Sequence, residues 1–181
     1  RVGDVINFSG SGTDPQNGTL PASALSWSLI LNHCPSNCHA HPLQDFVGVA
    51  SGSFTAPDHE YPSNLELVLT VTDSGGLTST ASVTLQPQTV ALTFASSPSG
   101  LQLVVNGGSA ATSFTRTVIA GSTNTISAPS PQSLNGNSYA FASWSDGGAQ
   151  THVITATATT TYAATYLAPP GNTSPPAITG P

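Results

Sequence analysis

Charge is what this chain has least of. Its 181 residues include two basic ones, Arg1 and Arg116, no lysine at all, and eight acids, for a net charge of −6. Charged residues make up 6% of the chain, where about 25% is usual for a globular domain. With no basic patch to neutralise phosphates, a nucleic-acid-binding surface is excluded, and docking on an anionic membrane is disfavoured. Long apolar runs are also missing. None approaches the roughly 20 residues that a membrane-spanning helix needs. Methionine is absent too, and we read the chain as a processed or excised piece of a longer one. No helical periodicity is visible, and no glycine-rich phosphate loop opening a helix or strained nucleophile turn is found. The expectation is therefore a protein that is not an enzyme.

Hydroxyl groups fill the place of charge: 25 serines and 24 threonines. Three Asn-x-Ser/Thr sequons begin at Asn7, Asn17 and Asn172 and are candidate glycan sites. Thr157, Thr159, Thr160 and Thr161 are candidate O-glycan carriers or simply strand formers. These features point to a secreted or cell-surface protein.

Short runs of Val, Ile, Leu, Thr and Phe alternate with Gly, Pro, Ser and Asn clusters about every 8–12 residues, the pattern of β-sandwiches. The clearest strands are residues 5–9, 25–32, 65–72, 80–85, 90–96, 102–105, 114–118, 124–127, 139–144, 152–155 and 161–166. Trp27, Leu29 and Leu31 fall on one face, as do Leu65, Leu67, Leu69 and Val71 on another strand. The expected fold is all-β: two tandem immunoglobulin-like sandwiches, 1–87 and 88–167, followed by an extended Pro-rich tail, 168–181. Asp73–Leu77 and Asp146–Gly148 read as hairpin turns.

Four of the five histidines lie in the first module. Three crowd into what reads as a loop, His33-Cys34-Pro35-Ser36-Asn37-Cys38-His39-Ala40-His41-Pro42, and the fourth is His59. His33 continues the parity of Trp27, and a His-x-His pair shares a face if extended. Imidazoles are good ligands for zinc or copper, so His33, His39, His41 and His59 form a candidate metal site. A hydrogen-bonded loop with no ion is the plainer alternative. Cys34 and Cys38 are expected to form a disulfide that stiffens this turn, although they are also possible thiolate ligands. Asp14 and Asn17 offer a weaker oxygen-rich site for calcium, against the reading of a simple Asx turn. Trp144 and Tyr139 read as core, with a sugar-stacking platform as the alternative.

The stretches Gly3-Asp4-Val5-Ile6-Asn7-Phe8-Ser9-Gly10, Leu25-Ser26-Trp27 and Leu69-Thr70-Val71-Thr72-Asp73-Ser74-Gly75-Gly76 resemble the PKD family of immunoglobulin-like domains. More narrowly, the module is similar to the PKD-like domain appended to secreted bacterial PQQ-dependent sugar dehydrogenases, where a His-rich stretch follows the Trp strand. The second module is similar to a small β-repeat domain of secreted bacterial proteins, through Phe141-Ala142-Ser143-Trp144-Ser145-Asp146-Gly147-Gly148. The resemblance implies a fold and a compartment but no reaction, and nothing of the dehydrogenase itself is present.

A PKD-type sandwich begins with a strand that this chain lacks. Pro176, Ala177, Ile178 and Thr179 look like that missing element. Two readings stand open. In one, each tail completes a neighbouring copy, head to tail, and builds a filament. In the other, the chain's own first strand lies upstream of Arg1. The expected function is an extracellular structural protein, a protomer of a surface filament or stalk. The alternative is a carbohydrate- or metal-binding accessory module of a secreted bacterial oxidoreductase. Expected partners are copies of itself or other modules of a longer chain, with glycans possible.

Overall fold

The computed structural model describes residues 1–34 and 37–168. It is nearly all β. Among the described residues the sole helical element is a 3₁₀ turn, Ala22–Ala24. Two compact units are present. The first comprises Arg1–Ala91, Thr117–Thr123 and Thr155–Ala158, and the second comprises Leu92–Arg116, Asn124–Ile154 and the chain from Thr159 onward.

The first unit contains β1 (Val5–Ser9), β2 (Thr13–Asp14), β3 (Gly18–Thr19), β4 (Leu25–His33), β5 (His39–Val47), β6 (Ser51–Thr55), β7 (Ser63–Thr72) and β8 (Thr78–Leu85). A four-stranded sheet in the order β5-β4-β7-β8 is accompanied by the two-stranded sheet β1-β6, and β2-β3 forms a small hairpin. Strand β4 is the organising element. Its residues alternate without a break between buried and half-buried from Leu25 to His33, the period-two pattern of a strand with one face on a core. That face packs Leu25, Trp27 and Leu29 with Leu67 and Leu69 of β7 and Phe8 and Phe54 of the β1-β6 sheet. The Trp27 indole N–H donates to the Val49 carbonyl at 3.0 Å, so the indole's polar atom is satisfied within the core.

The strand expectations hold to within a residue or two, except where pattern was lacking. Residues 33–42 were expected as loop, but His33 ends β4 and residues 39–42 open β5, which runs on to Val47 paired along β4 and was not expected as a strand. Its sequence, His-Ala-His-Pro-Leu-Gln-Asp-Phe-Val, carries no strand alternation because β5 is an edge strand and nearly all of it is exposed. Pro42 is tolerated there because an edge strand can spare an N–H. Strand β6 was likewise missed. The Asp73 turn does join β7 to β8 as a hairpin, and the Asp73 carboxylate accepts from the Gly75 and Leu77 amides, both at 2.8 Å.

The first unit has an uncovered side. Leu67 and Leu69 face the core, and opposite them on β8 stand Val83 and Ala81; cross-strand partners share a face. Yet Ala81 is exposed and Val83 is 49% exposed. Strand β1 pairs only with β6 among the described residues. A cavity of about 370 Å³, lined among others by Ile6, Leu31, Leu65 and Leu85, opens beside β1 at one end. A second, of about 280 Å³, lies at the other end among Gly12, Leu69, Val71 and Ala81. The space over β8, beside β1, is therefore a groove with an apolar floor.

The second unit contains β9 (Thr89–Ser97), β10 (Gln102–Val105), β11 (Gly108–Ala111), β12 (Phe114–Ile119), β13 (Thr123–Ser127), β14 (Gln132–Leu134), β15 (Asn137–Trp144), β16 (Thr151–Thr155) and β17 (Thr160–Leu167), some of which run a few residues into the first. They form the sheets β11-β10-β13-β16 and β12-β9-β17-β15-β14, with β9 and β17 parallel. Phe94, Leu103 and Ile126 are wholly buried. The turn at Asp146–Gly148, expected as a hairpin, instead joins β15 in one sheet to β16 in the other.

Close packing in the first unit leaves no room at three glycines, Gly10, Gly12 and Gly52. A methyl on Gly52 would stand 2.6 Å from the Phe8 ring, and one on Gly10 would stand 2.8 Å from the Trp27 ring. Gly52→Ala is expected to destabilise the first unit by about 1–3 kcal/mol through overpacking. Ser53→Ala, at the exposed neighbouring position, should stay within about 0.5 kcal/mol. Urea denaturation of the two variants checks this, and equal midpoints would contradict the packing argument.

Candidate metal centre

His33 is the last residue of the core-facing row of β4. Its cross-strand partners are His39 on β5 and Ser63 on β7, and Leu31 stands opposite His41. Since His33 and Leu31 share a face, His39 and His41 lie on that face too. Three imidazoles separated in sequence thus converge because the hairpin register puts 33 opposite 39. One step further, residue 34 falls opposite residue 38, and Cys34 and Cys38 form the expected disulfide. The cystine clamps the hairpin immediately beyond the His33–His39 pair and takes no part in ligation.

His59 reaches the cluster from the β6–β7 connection, which passes from the β1-β6 sheet to the larger one. That connection is anchored at Asp58, whose carboxylate accepts from the Thr123 amide at 2.9 Å and from its hydroxyl at 2.7 Å. Ring centroids are 4.3 Å apart for His33 and His59, 5.3 Å for His33 and His39, 4.6 Å for His39 and His41, and 6.2 Å for His41 and His59. Ligand nitrogens of His33, His39 and His41 all lie within 4.8 Å of one another. With metal–nitrogen bonds of about 2.0–2.1 Å, tetrahedral geometry needs about 3.3 Å between nitrogens. The exposed rings of His39 and His41 can supply that contraction by side-chain rotation.

The electrostatics suit a neutral imidazole, the form that ligates. Burial holds His33 below its ordinary value, reinforced by the neighbouring His59 and His39; the Glu60 carboxylate, 4.0 Å from Nε2, opposes this, and His41 adds to the lowering. His33 is 8% exposed, and its Nε2 is buried with no hydrogen-bond partner. A buried polar atom left in this state costs about 1–3 kcal/mol. The three imidazoles therefore lie close enough to hold a metal ion, with one nitrogen donor orphaned and a carboxylate nearby.

The other candidate residues are placed as follows. Asp14 Oδ1 accepts from the Gln16 and Asn17 amides at 2.9 and 2.7 Å, an Asx turn, and the Asn17 side-chain amide donates to Ser74. Asn7 and Asn17 are exposed. Asn172 and the segment Pro176–Ala177–Ile178–Thr179 lie outside the described residues. Trp144 is 3% exposed, and its indole N–H donates to the Gln150 carbonyl at 3.1 Å; an indole so enclosed is core and not a stacking platform. Sequence reasoning missed the Asp146–His152 pair, 3.0 Å apart. The only available signal was a carboxylate and an imidazole on either side of a glycine turn. Burial by itself would raise the Asp146 pKa, but the Gly148 amide and His152 outweigh it and hold the carboxyl below 3.8.

Comparison with family models, curated proteins and solved structures returned no match. Among the described residues, no helix is long and apolar enough to cross a membrane.

Two outcomes follow from this geometry. Because the Asp146 pKa is depressed in the folded state, its contribution to stability is complete above the unfolded value near 3.8 and is lost as pH falls through the folded value. Asp146→Asn should therefore flatten the acid limb of the stability–pH curve below about pH 4, read by thermal unfolding; an unchanged limb would contradict the pairing. For the hairpin, a thiol assay on unreduced protein should find no reactive cysteine. Replacing both cysteines with serine should cost about 2 kcal/mol, as expected for so small a loop, with the loss of amide protection concentrated at residues 31–41.

Proposed function

We propose that this chain is a non-catalytic extracellular structural protein, a protomer of a surface filament or stalk assembled head-to-tail by strand complementation. The observation that carries the reading is the groove of the first unit. There the inward face of β8 lies bare, and among the described residues β1 pairs on one side only. A bare apolar face next to a free strand edge is what an added strand covers, by main-chain hydrogen bonds along the edge and side chains into the groove. The occupant we assign is the tail of a second copy. Residues 169–181 span about 43 Å when extended, more than twice the length of five-residue β1. Ile178 supplies an apolar anchor, and the flanking prolines favour extended backbone.

Two chemical features support an extracellular compartment. A disulfide persists in oxidising surroundings, and a surface nearly without charge, with sequon asparagines exposed at 7 and 17, is suited to glycans. The PKD-like resemblance, carried by the motifs around Gly3, Trp27 and Asp73, agrees with a repeated extracellular module.

A second reading is a metal-binding accessory module of a secreted bacterial oxidoreductase, favoured by the convergence of His33, His39 and His41. Its metal would be zinc or copper, since imidazole donors suit both and hard calcium suits neither. Binding of carbohydrate through Trp144 has no support, because the indole is enclosed.

The filament reading is tested by sedimentation and negative-stain microscopy. The full chain should form particles far heavier than a protomer, and a chain ending at residue 168 should remain monomeric. Val83→Asp, on the half-exposed groove wall, should also block assembly while leaving the far-ultraviolet spectrum intact. A truncated chain that still polymerises, or a full chain that stays monomeric at all concentrations, would overturn the proposal.

A further inference from the structure

The three-imidazole group leaves open what completes a four-coordinate shell, and whether the centre does anything for the fold. His59 sits beside it on an element from the other side of the sandwich. Its ring is the closest of the three to His33, at 4.3 Å between centroids, and its Nδ1 lies 3.3 Å from the Glu60 carbonyl. His39 Nδ1 lies 2.9 Å from the Asn37 carbonyl. A carbonyl only accepts, so a hydrogen bond at either place uses the tautomer with the proton on Nδ1, which in a neutral ring leaves the Nε2 lone pair for a metal. That is the arrangement of a ligating histidine, with the far nitrogen orienting the ring by a hydrogen bond to backbone.

Edge-to-face packing of neutral rings is the competing explanation. The interplanar angles of 68°, 79° and 81° do describe such contacts, worth about 0.5–1.5 kcal/mol per pair. Ring packing leaves the buried Nε2 of His33 without a partner. A cation at the centre of the cluster satisfies it.

We propose that His33, His39, His41 and His59 together form a four-imidazole centre for a divalent borderline transition metal, and that the bound ion ties the β6–β7 connection to the cystine-clamped β4–β5 hairpin. The proposal rests on the metal reading of His33, His39 and His41 and adds to it the fourth ligand and the structural consequence. His59 is the discriminating residue. It is only half-buried and lies in a connection held independently by Asp58, so its removal spares the core. Glu60, which also faces His33, is the rival fourth ligand.

The experiment titrates the metal-free full chain with Zn²⁺ by calorimetry and records the electron paramagnetic resonance spectrum of the Cu²⁺ form. The wild type should bind one Zn²⁺, which excess Ca²⁺ does not displace, and Zn²⁺ should raise its Tm and slow amide exchange in residues 56–62. His59→Ala should weaken Zn²⁺ by about tenfold or more, reduce the copper hyperfine pattern from four nitrogens to three, and abolish the slowed exchange in residues 56–62. His39→Ala, on the exposed edge strand, should weaken binding similarly, whereas Glu60→Gln should leave the nitrogen count unchanged. If the wild type binds no Zn²⁺, the metal reading fails as a whole. If it binds but His59→Ala matches it in affinity and spectrum, or if Glu60→Gln causes the loss, the fourth-ligand proposal alone is overturned.

Discussion

The pairing of β4 with its two neighbours governs the first unit. One strand with a strict two-residue alternation sets which face is core, and both β5 and β7 inherit their inward faces from it by register. A shift of one residue in the β4–β5 register would turn His39 and His41 away from His33 and leave the cystine without its geometry. The disulfide stands one step beyond the His33–His39 pair, where it opposes that slip at the loop end. Core packing, the clamp and the imidazole cluster are consequences of a single registration.

The chain's poverty in charge gives this cluster its character. Four imidazoles gathered at the end of a hydrophobic row have one carboxylate close to His33, that of Glu60. Burial and the neighbouring imidazoles lower the His33 pKa, and its orphaned Nε2 is the one described buried side-chain polar atom without a partner. Elsewhere polar groups are met: the indoles of Trp27 and Trp144 each donate to a carbonyl, and Asp14, Asp58 and Asp73 each accept two bonds from nearby donors. Against that background the histidine face stands out as unfinished chemistry.

The bare face of β8 is unfinished packing. A strand normally hides one side, and β8 hides neither along most of its length. Leaving Val83 and Ala81 in water forgoes burial worth about 25 cal/mol per Å² of apolar surface. An occupant that covers the groove recovers that term and also satisfies the free edge of β1. The two incomplete features lie in the same unit. His59 belongs to the imidazole cluster and also lines the larger cavity of the groove.

Much of this was legible beforehand. Strands with one buried face announce themselves by alternation, which is why Leu25–His33 and Ser63–Thr72 were readable nearly to the residue, and why an all-β fold and the Cys34–Cys38 bridge followed from composition and spacing. The edge strand His39–Val47 was invisible because an exposed strand need not alternate. The partnering of His59 with His33, the bond from Thr123 to Asp58 and the bare wall of β8 left no trace in local pattern. They depend on which distant segments meet, and local sequence period reports the face a residue takes but not the neighbour it finds there. Sequence determined the elements and the identities of the donors; only the tertiary arrangement decided that His59 meets the face shared by His33, His39 and His41 and that, among the described residues, one side of β8 stays bare, because both are set by long-range pairing.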